Sequence, residues 1–255
     1  MYKLRDWIKE ERLTGRLCMN PRAMDYLETH PKKISWYCLS NTPGSLHLLL
    51  KNPDNIEWTW LSGNSDAIHL LEKNPEKIGW SFLSKNTAAI HLIEKNLDKI
   101  HWGYLNTNIK AIHILEQNPD KIDWFWLSCN PAAINLLKSN PGKINWANLS
   151  YNQAAIHLIE KNLDKIDWDI LSCNPAAIHL LKQYPDKIDW FNLSFNPEAI
   201  ELLKANQEKI KWNMISSNPA IFEYDYKNMT RPFTEELMQN RFHPNNLDRF
   251  EAWGF

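Results

Sequence analysis

The sequence predicts an all-α fold: an α-solenoid of tandem 22-residue helix-turn-helix units with capping ends. Nine tryptophans recur at intervals of 22 residues, apolar residues within each interval follow the spacing of a helix face, and helix-start residues recur at a fixed place. The register tryptophans are Trp36, Trp58, Trp80, Trp102, Trp124, Trp146, Trp168, Trp190 and Trp212. A short fixed period in 255 residues indicates one elongated domain in which each unit contacts mainly its neighbours.

The first helix of each unit starts near its tryptophan, which is position 0 of units 1 to 9. Position 3 is Leu in eight units and Ile215 in unit 9, so this position faces the core. The stretch "DWFWLS" in unit 5 has room for only one or two turns, which predicts a short, partly 3₁₀ helix. Asp123, Asp167 and Asp189, at position −1, are placed to cap it.

A longer second helix is predicted from about position 7 to position 15. Position 6 is Asn in eight of the nine units and position 7 is Pro in five, a combination that favours a helix start. Positions 10, 12 and 13 are mostly Ile or Leu, and position 9 is Ala in seven units. The helix stops before a second Asn-Pro pair, as in "EQNPDKI", because a residue that precedes Pro avoids helical geometry. Stacked units would let the Asn side chains bind turn amides along the array.

The ends of the chain are predicted to cap the array. Residues 1–33 form an N-terminal cap that includes a degenerate zeroth unit, in which Leu17 and Asn20 keep register but Thr14 replaces the tryptophan. Residues 34–223 form the nine-repeat solenoid, and residues 224–255 form a C-terminal helical cap or tail with a helix from Thr234. At a rise of about 10 Å per unit, the array would be roughly 90 Å long and gently curved. A leucine-rich-repeat-like β-solenoid is the alternative fold, because "WLSCN" also fits the strand of such a unit.

Charge and cysteine content exclude several classes of protein. The net charge is −1, whereas nucleic-acid-binding proteins carry a basic excess on one face, so no nucleic acid partner is predicted. The four cysteines form no CxxC pair, and Cys129 and Cys173 lie two units apart, about 20 Å and too far for a disulfide. The N-terminal stretch is charged throughout and no apolar run in the sequence is long enough to cross a bilayer, so neither a signal peptide nor a membrane span is expected. We therefore expect an intracellular, reducing, soluble setting and no membrane partner.

Two repeated polar positions could suggest chemistry, but structural roles explain both better. Position 11 is His in six units: His47, His69, His91, His113, His157 and His179. Neighbouring copies about 10 Å apart cannot share one zinc ion, so each is expected to bond the adjacent turn instead. Position 4 is Ser in eight units without a paired base, which favours backbone bonding over nucleophilic catalysis. No catalytic residue, cofactor or metal is predicted.

Aromatic residues at variable positions provide the candidate binding surface. The nine register tryptophans share their spacing with core residues, so we expect them in the core and not as a base-stacking track for RNA. Positions 1, 2 and 5 lie on the side of the short helix away from the core, and nothing in the repeat fixes them. The predicted partner-binding residues, called here the aromatic strip, are Trp60, Phe82, Tyr104, Phe125, Trp126, Tyr151, Phe191 and Phe195. Tyr37 occupies the same side. The alternative is that some of these rings pack sideways onto neighbouring units.

The repeat and the tail together carry a family resemblance. Units such as "KIDWFWLSCNPAAINLLKSNPGKI" and the ending "NPAIFEYDY" followed by "EELMQNRFHP" resemble tandem-repeat proteins encoded by giant DNA viruses of amoebae and related hosts. The likeness covers roughly residues 14–255, although the zeroth unit lacks its tryptophan. The resemblance implies a viral protein that acts in the infected cell, in the host cytoplasm or viral factory, or in the virion. It supplies no catalytic residues.

These observations predict a non-enzymatic interaction scaffold. It would bind a protein partner, host or viral, along the aromatic strip, where aromatic side chains are favoured as binding hot spots. The tail from Met229 would cap the array or recruit a second partner. The alternative is a structural role, as a minor component of a virus particle or a self-assembling array.

Overall fold

The computed structural model describes residues 2–226, and it confirms the predicted all-α repeat fold. Every 22 residues the chain forms a short α-helix and, in units 1 to 8, a second α-helix; in most units one 3₁₀ turn leads into the second helix and another follows it. The predicted helix from Thr234 and the tail from Met229 lie outside the described residues.

The first helix of each unit begins at its register tryptophan. These helices are Trp36–Asn41, Trp58–Leu61, Trp80–Lys85, Trp102–Leu105, Trp124–Ser128, Trp146–Leu149, Trp168–Leu171, Trp190–Leu193 and Trp212–Ile215. The predicted aspartate caps are confirmed: Asp123, Asp167 and Asp189 each accept a hydrogen bond from an amide in the first turn, at 2.7–3.0 Å. These carboxylates satisfy amides that otherwise have no partner at a helix start.

The 3₁₀ geometry expected in each unit lies at the start of the second helix, while the first helix is α-helical. The opening turns are Ser65–Ala67, Thr87–Ala89, Pro131–Ala133, Gln153–Ala155, Pro175–Ala177, Pro197–Ala199 and Pro219–Ile221. The α-helices of the second layer are Leu46–Lys51, Ile68–Lys73, Ile90–Glu94, Ile112–Gln117, Ile134–Ser139, Ile156–Ile159, Ile178–Gln183 and Ile200–Ala205. The closing turns are Pro53–Asn55, Pro75–Lys77, Pro119–Lys121, Pro141–Lys143, Pro185–Lys187 and Gln207–Lys209. The tight opening turn brings the small residue at position 9 against the neighbouring unit.

One continuous apolar core runs through all the units. Leu127, Ala133 and Leu137, at positions 3, 9 and 13 of unit 5, have no exposed surface, and the same positions are buried in most other units. The register tryptophans pack against this core but are only half-buried, so they are less enclosed than predicted. In five units a lysine at position 19 places its ammonium group 4.3–5.3 Å from the indole centroid of the tryptophan at position 0 of the same unit. The lysine covers the ring face that the core leaves open.

Buried serines tie each unit to the next, as the sequence analysis favoured. The hydroxyl of Ser128 donates to the carbonyl of Trp124 at 2.7 Å and accepts from the amide of Asn145, in the following unit, at 3.0 Å. All eight serines at position 4 are buried in this way. In unit 4, Asn106 makes the same two contacts. These hydroxyls are hydrogen-bonded to backbone groups of two successive units, which is a structural role.

A second set of buried side chains, the asparagines at position 6, forms the predicted ladder. Asn130 Oδ1 accepts from the amide of Ala132 at 3.0 Å, which caps the second helix of its own unit. Its Nδ2 donates to the carbonyls of Asn106 and Asn108 in the preceding unit, at 2.8 and 3.3 Å. The asparagine therefore satisfies backbone groups of two units at once, as buried polar groups require.

The array closes into a ring, because the zeroth unit packs on unit 9. The zeroth unit comprises the 3₁₀ helices Gly15–Met19 and Pro21–Ala23, the α-helix Met24–Thr29 and the turn Pro31–Lys33, preceded by the turn Glu10–Arg12. Asn20 Nδ2 donates to the carbonyl of Asn218 at 2.9 Å, and the amide of Thr14 donates to Ser216 Oγ at 3.0 Å. The first is the ladder contact that joins successive units elsewhere, and the second uses the same serine position with an amide one residue further along the unit. On its other side, Cys18 Sγ accepts from the amide of Ser35 at 3.0 Å, in place of the usual serine.

A small antiparallel sheet completes the closure. Strand β1, Tyr2–Leu4, pairs with strand β2, Phe222–Tyr224, so that Tyr2 faces Tyr224. Glu223 forms ion pairs with Lys3 at 3.2 Å and Arg5 at 3.3 Å. The prediction of an elongated array of about 90 Å with two separate capped ends is therefore wrong. The apolar faces at the two ends of the repeat bury each other through the zeroth unit.

The short helices and the second helices form two layers of the ring. Several neighbouring short helices, such as Trp36–Asn41 and Trp58–Leu61, pack directly on one another, as do neighbouring opening turns. Positions 1, 2 and 5 face away from the core, on the side of the ring that the short helices form.

Candidate binding surface

The aromatic strip lies at the surface, where the sequence analysis placed it. Six of its side chains are exposed by 37–49%: Trp60, Tyr104, Phe125, Trp126, Tyr151 and Phe191. Phe82 and Phe195 are half-buried. The short helix produces this arrangement because Leu at position 3 faces the core, which turns its neighbours at positions 1, 2 and 5 outward.

Part of the strip also packs sideways, which is the alternative that the sequence left open. Ring centroids lie 5.5 Å apart for Tyr37 and Trp60, 4.5 Å for Trp60 and Phe82, and 6.5 Å for Phe82 and Tyr104. Lys85 places its ammonium group 4.7 Å from the Phe82 centroid, and burial lowers the pKa of this lysine. These contacts order the rings across units 1 to 4 while leaving about a third of the Trp60 and Tyr104 surfaces exposed.

The surface around the strip is almost uncharged. Of the thirty residues at positions 1, 2 and 5 of the ten units, only Arg16, Lys85 and Asp169 carry charge, whereas 23% of the whole chain is charged. The remaining residues are mostly aromatic rings, amides, hydroxyls, thiols and small side chains. This surface offers little attraction to phosphate groups, which bind to clusters of Lys and Arg.

Two adjoining grooves interrupt the strip over units 5 to 9. The first has a volume of about 340 Å³ and is lined by Trp126, Cys129, Asn148, Tyr151, Ile170, Cys173 and Asn192. The second has a volume of about 230 Å³ and is lined by Tyr151, Gln153, Cys173, Pro175, Phe195, Pro197 and Pro219. Tyr151 and Cys173 belong to both. Sequence reasoning located three of the aromatic walls but missed the grooves, because their floors come from small and amide residues that show no periodicity.

Both cysteines of the first groove are neutral thiols at neutral pH. Cys129 and Cys173 each donate to a carbonyl of their own unit, Trp126 and Ile170 respectively, at 3.0 Å. Burial raises the pKa of both thiols, that of Cys173 to about 11, and it also raises the pKa of Tyr151. An acid with a raised pKa stays protonated at pH 7, so the groove remains uncharged.

The histidines at position 11 form contacts on the opposite, charged side of the units. His91, His113 and His179 place Nε2 at 2.8–2.9 Å from a glutamate on the second helix of the preceding unit. The expected bond to an adjacent turn is present for His47, whose Nδ1 lies 3.1 Å from the carbonyl of Gly44. Within residues 2–226, no cluster of His, Cys, Asp and Glu is arranged to hold a metal ion.

Comparisons with known proteins add no assignment. No family model matches the chain, and no curated protein or solved structure is significantly similar to it. In the part of the chain that the structure describes, none of the helices has the length and apolar character needed to cross a membrane. The aromatic strip of the ring is the candidate binding surface.

Proposed function

We propose that the protein is a non-enzymatic scaffold that binds a protein partner on the aromatic strip. The observation that carries this proposal is the exposure of large aromatic side chains on an almost uncharged surface of the ring. Aromatic side chains dominate the binding energy of protein interfaces, and contiguous exposed apolar surface marks interaction sites. The closed ring holds these side chains in fixed relative positions, which reduces the entropy lost on binding.

The ring also favours an adaptor over a self-assembling array. Open solenoids can grow end to end through their exposed terminal faces. Here the zeroth unit covers the end face of unit 9, through Asn20 on Asn218 and Thr14 on Ser216, so no terminal repeat face is free in the described residues. The resemblance to giant-virus repeat proteins makes amoeba cells during infection the first place to search for the partner, in the cytoplasm, the viral factory or the particle.

Replacing Trp60, Tyr104 and Trp126 by Ser should abolish partner capture. These side chains are exposed by 37–39%, so their loss removes binding surface while the core stays intact. The measurement is affinity capture from infected cells with the tagged parent and the triple variant, read by quantitative mass spectrometry. We expect the recovery of a protein that the parent enriches to fall at least about tenfold with the variant, because the variant lacks more than one hot-spot side chain.

A matched control replaces two exposed apolar residues outside the strip. Leu50 and Leu97, exposed by 53% and 37%, change to Ser in this variant, which should capture the same partner as the parent. Helical circular dichroism and the melting temperature should stay near those of the parent in the control, and fall by only a few degrees in the triple variant. The same protein list from all three forms would show that the strip is not the binding surface. Loss of fold in the triple variant alone would show that its rings are structural.

A further inference from the structure

We propose that the two grooves over units 5 to 9 bind an extended, uncharged peptide segment of the partner, which inserts two apolar side chains and gives one backbone carbonyl to Asn148. This proposal rests on the proposed function and deepens it, because it assigns the anchoring part of the strip and the chemistry of its ligand. Its first support is an unpaired polar group. Asn148 Nδ2 is buried and has no hydrogen-bond partner among the described residues.

The side chain that carries the unpaired amide group projects from a helix start that is itself held by a hydrogen bond. The backbone amide of Asn148 donates to Asn145 Oδ1 at 2.9 Å, which fixes the start of the short helix Trp146–Leu149. Asn148 itself lines the first groove between Trp126 and Ile170, the residues at position 2 of the neighbouring units. A buried amide donor without a partner destabilises the folded chain, and a ligand carbonyl would supply the missing hydrogen bond. The groove therefore favours a ligand that carries an acceptor oxygen.

The other residues that line the grooves favour a ligand with a neutral, apolar group next to its acceptor oxygen. Neither groove is lined by a charged residue. The thiols of Cys129 and Cys173 are protonated and already bonded to carbonyls, so they offer apolar surface. Trp126 and Tyr151 supply aromatic walls in the first groove. Phe195 and three prolines supply apolar walls in the second. A phosphate or a charged side chain would lose its hydration here without gaining a partner.

The shape of the site favours an elongated ligand over a compact one. The grooves have volumes of about 340 and 230 Å³, and they share Tyr151 and Cys173 as a common wall. Each is near or below the lower end of the range for drug-sized ligands, so each suits one large side chain. An extended peptide carries side chains and carbonyl groups at short regular intervals. Two adjoining grooves with an amide donor in one of them match that pattern.

The test uses a phage-displayed library of linear random peptides as the probe. Peptides are selected on the intact protein, and the affinities of the enriched sequences are measured by fluorescence anisotropy against the parent and four variants. Asn148→Ile places in unit 6 the residue that unit 7 has at the same position, Ile170, so the variant should fold. Trp126→Ser removes an aromatic wall, and Trp60→Ser removes a strip residue outside both grooves. Leu97→Ser is the matched control, because Leu97 lies outside both the strip and the grooves.

Enriched peptides should carry pairs of large apolar residues and few charges. Asn148→Ile should weaken their binding by about tenfold and Trp126→Ser by about thirtyfold, whereas Leu97→Ser should change it by less than about twofold. Peptides that lose affinity only with Trp60→Ser would overturn the groove assignment and leave the proposed function standing. Peptides insensitive to both Asn148→Ile and Trp126→Ser would likewise overturn the groove assignment. Failure to enrich any peptide, or enrichment of charged sequences, would overturn the groove proposal, while partner capture continues to test the function separately.

Discussion

Deletion of residues 2–33 should open the ring and lower the melting temperature by more than about 10 °C. The deletion removes strand β1 and the zeroth unit, whose Leu17, Ala23 and Leu27 have no exposed surface. It therefore exposes the apolar faces of units 1 and 9 together. For a chain of this size, each kcal/mol of lost stability lowers the melting temperature by about 2–4 °C, and we expect a loss of a few kcal/mol. The measurements are thermal unfolding and small-angle X-ray scattering, in which the radius of gyration should rise although the chain is shorter.

A covalent link across the seam provides the converse test of closure. Tyr2 and Tyr224 lie opposite each other in the antiparallel pair, where Cα atoms are about 4.5–5.5 Å apart, within the range of a disulfide. Tyr2→Cys with Tyr224→Cys should therefore crosslink in the full chain and raise the melting temperature by several degrees when oxidised. The reduced form of the same variant is the control. Failure to crosslink, or a deletion variant as compact and as stable as the parent, would show that the seam is open in solution.

Asn130→Ala should lower the free energy of unfolding by about 2–4 kcal/mol, because a helix-start amide and a buried carbonyl lose their partners and a second buried carbonyl loses one of its two donors. The amide of Ala132 loses its acceptor and the carbonyl of Asn106 loses its donor, whereas the carbonyl of Asn108 keeps its bond from the amide of Ala111. Alanine has no polar side-chain atom to replace the asparagine, and Asn130 is only 1% exposed, so water does not enter the site readily. The measurement is chemical denaturation of the parent and the variant.

The control for this substitution is an asparagine whose side chain serves one unit only. Asn118 is half-buried, and its Nδ2 donates to a single carbonyl, that of Ile114, at 2.8 Å. Asn118→Ala should cost less than about 1 kcal/mol, since only one, partly buried hydrogen bond is lost. If the two variants were equally stable, the ladder asparagines would contribute no more than ordinary helix-end residues.

Residues that recur in every unit allowed the sequence to predict the local structure. The core leucines, the asparagine ladder represented by Asn130 and the buried serines represented by Ser128 each recur at least eight times, so their roles could be inferred from spacing alone. The lysines at position 19 recur almost as often, but their contact with the tryptophan at position 0 of the same unit was not predicted. The spacing of 19 between Trp124 and Lys143 was a usable signal.

Ring closure could not be predicted because it depends on the rotation between successive units. Small differences in side-chain volume at each junction set that rotation, and their effect accumulates around the ring. The only sequence indication was the zeroth unit, which keeps buried-type residues such as Leu17 and Asn20 instead of the polar outer face expected of a cap. The grooves were unpredictable for a related reason. Asn148 and Cys129 line a groove only together with residues of the neighbouring units.

The closed seam between units 9 and 0 also constrains how such a gene can evolve. An open repeat array can gain or lose units by duplication or deletion within the gene, because each new unit meets the same neighbours. Here Asn20 must reach Asn218 in ladder geometry, so an added unit would change the rotation required at every junction or leave the ring open. Selection on a closed ring therefore acts on the number of repeats as well as on their sequence.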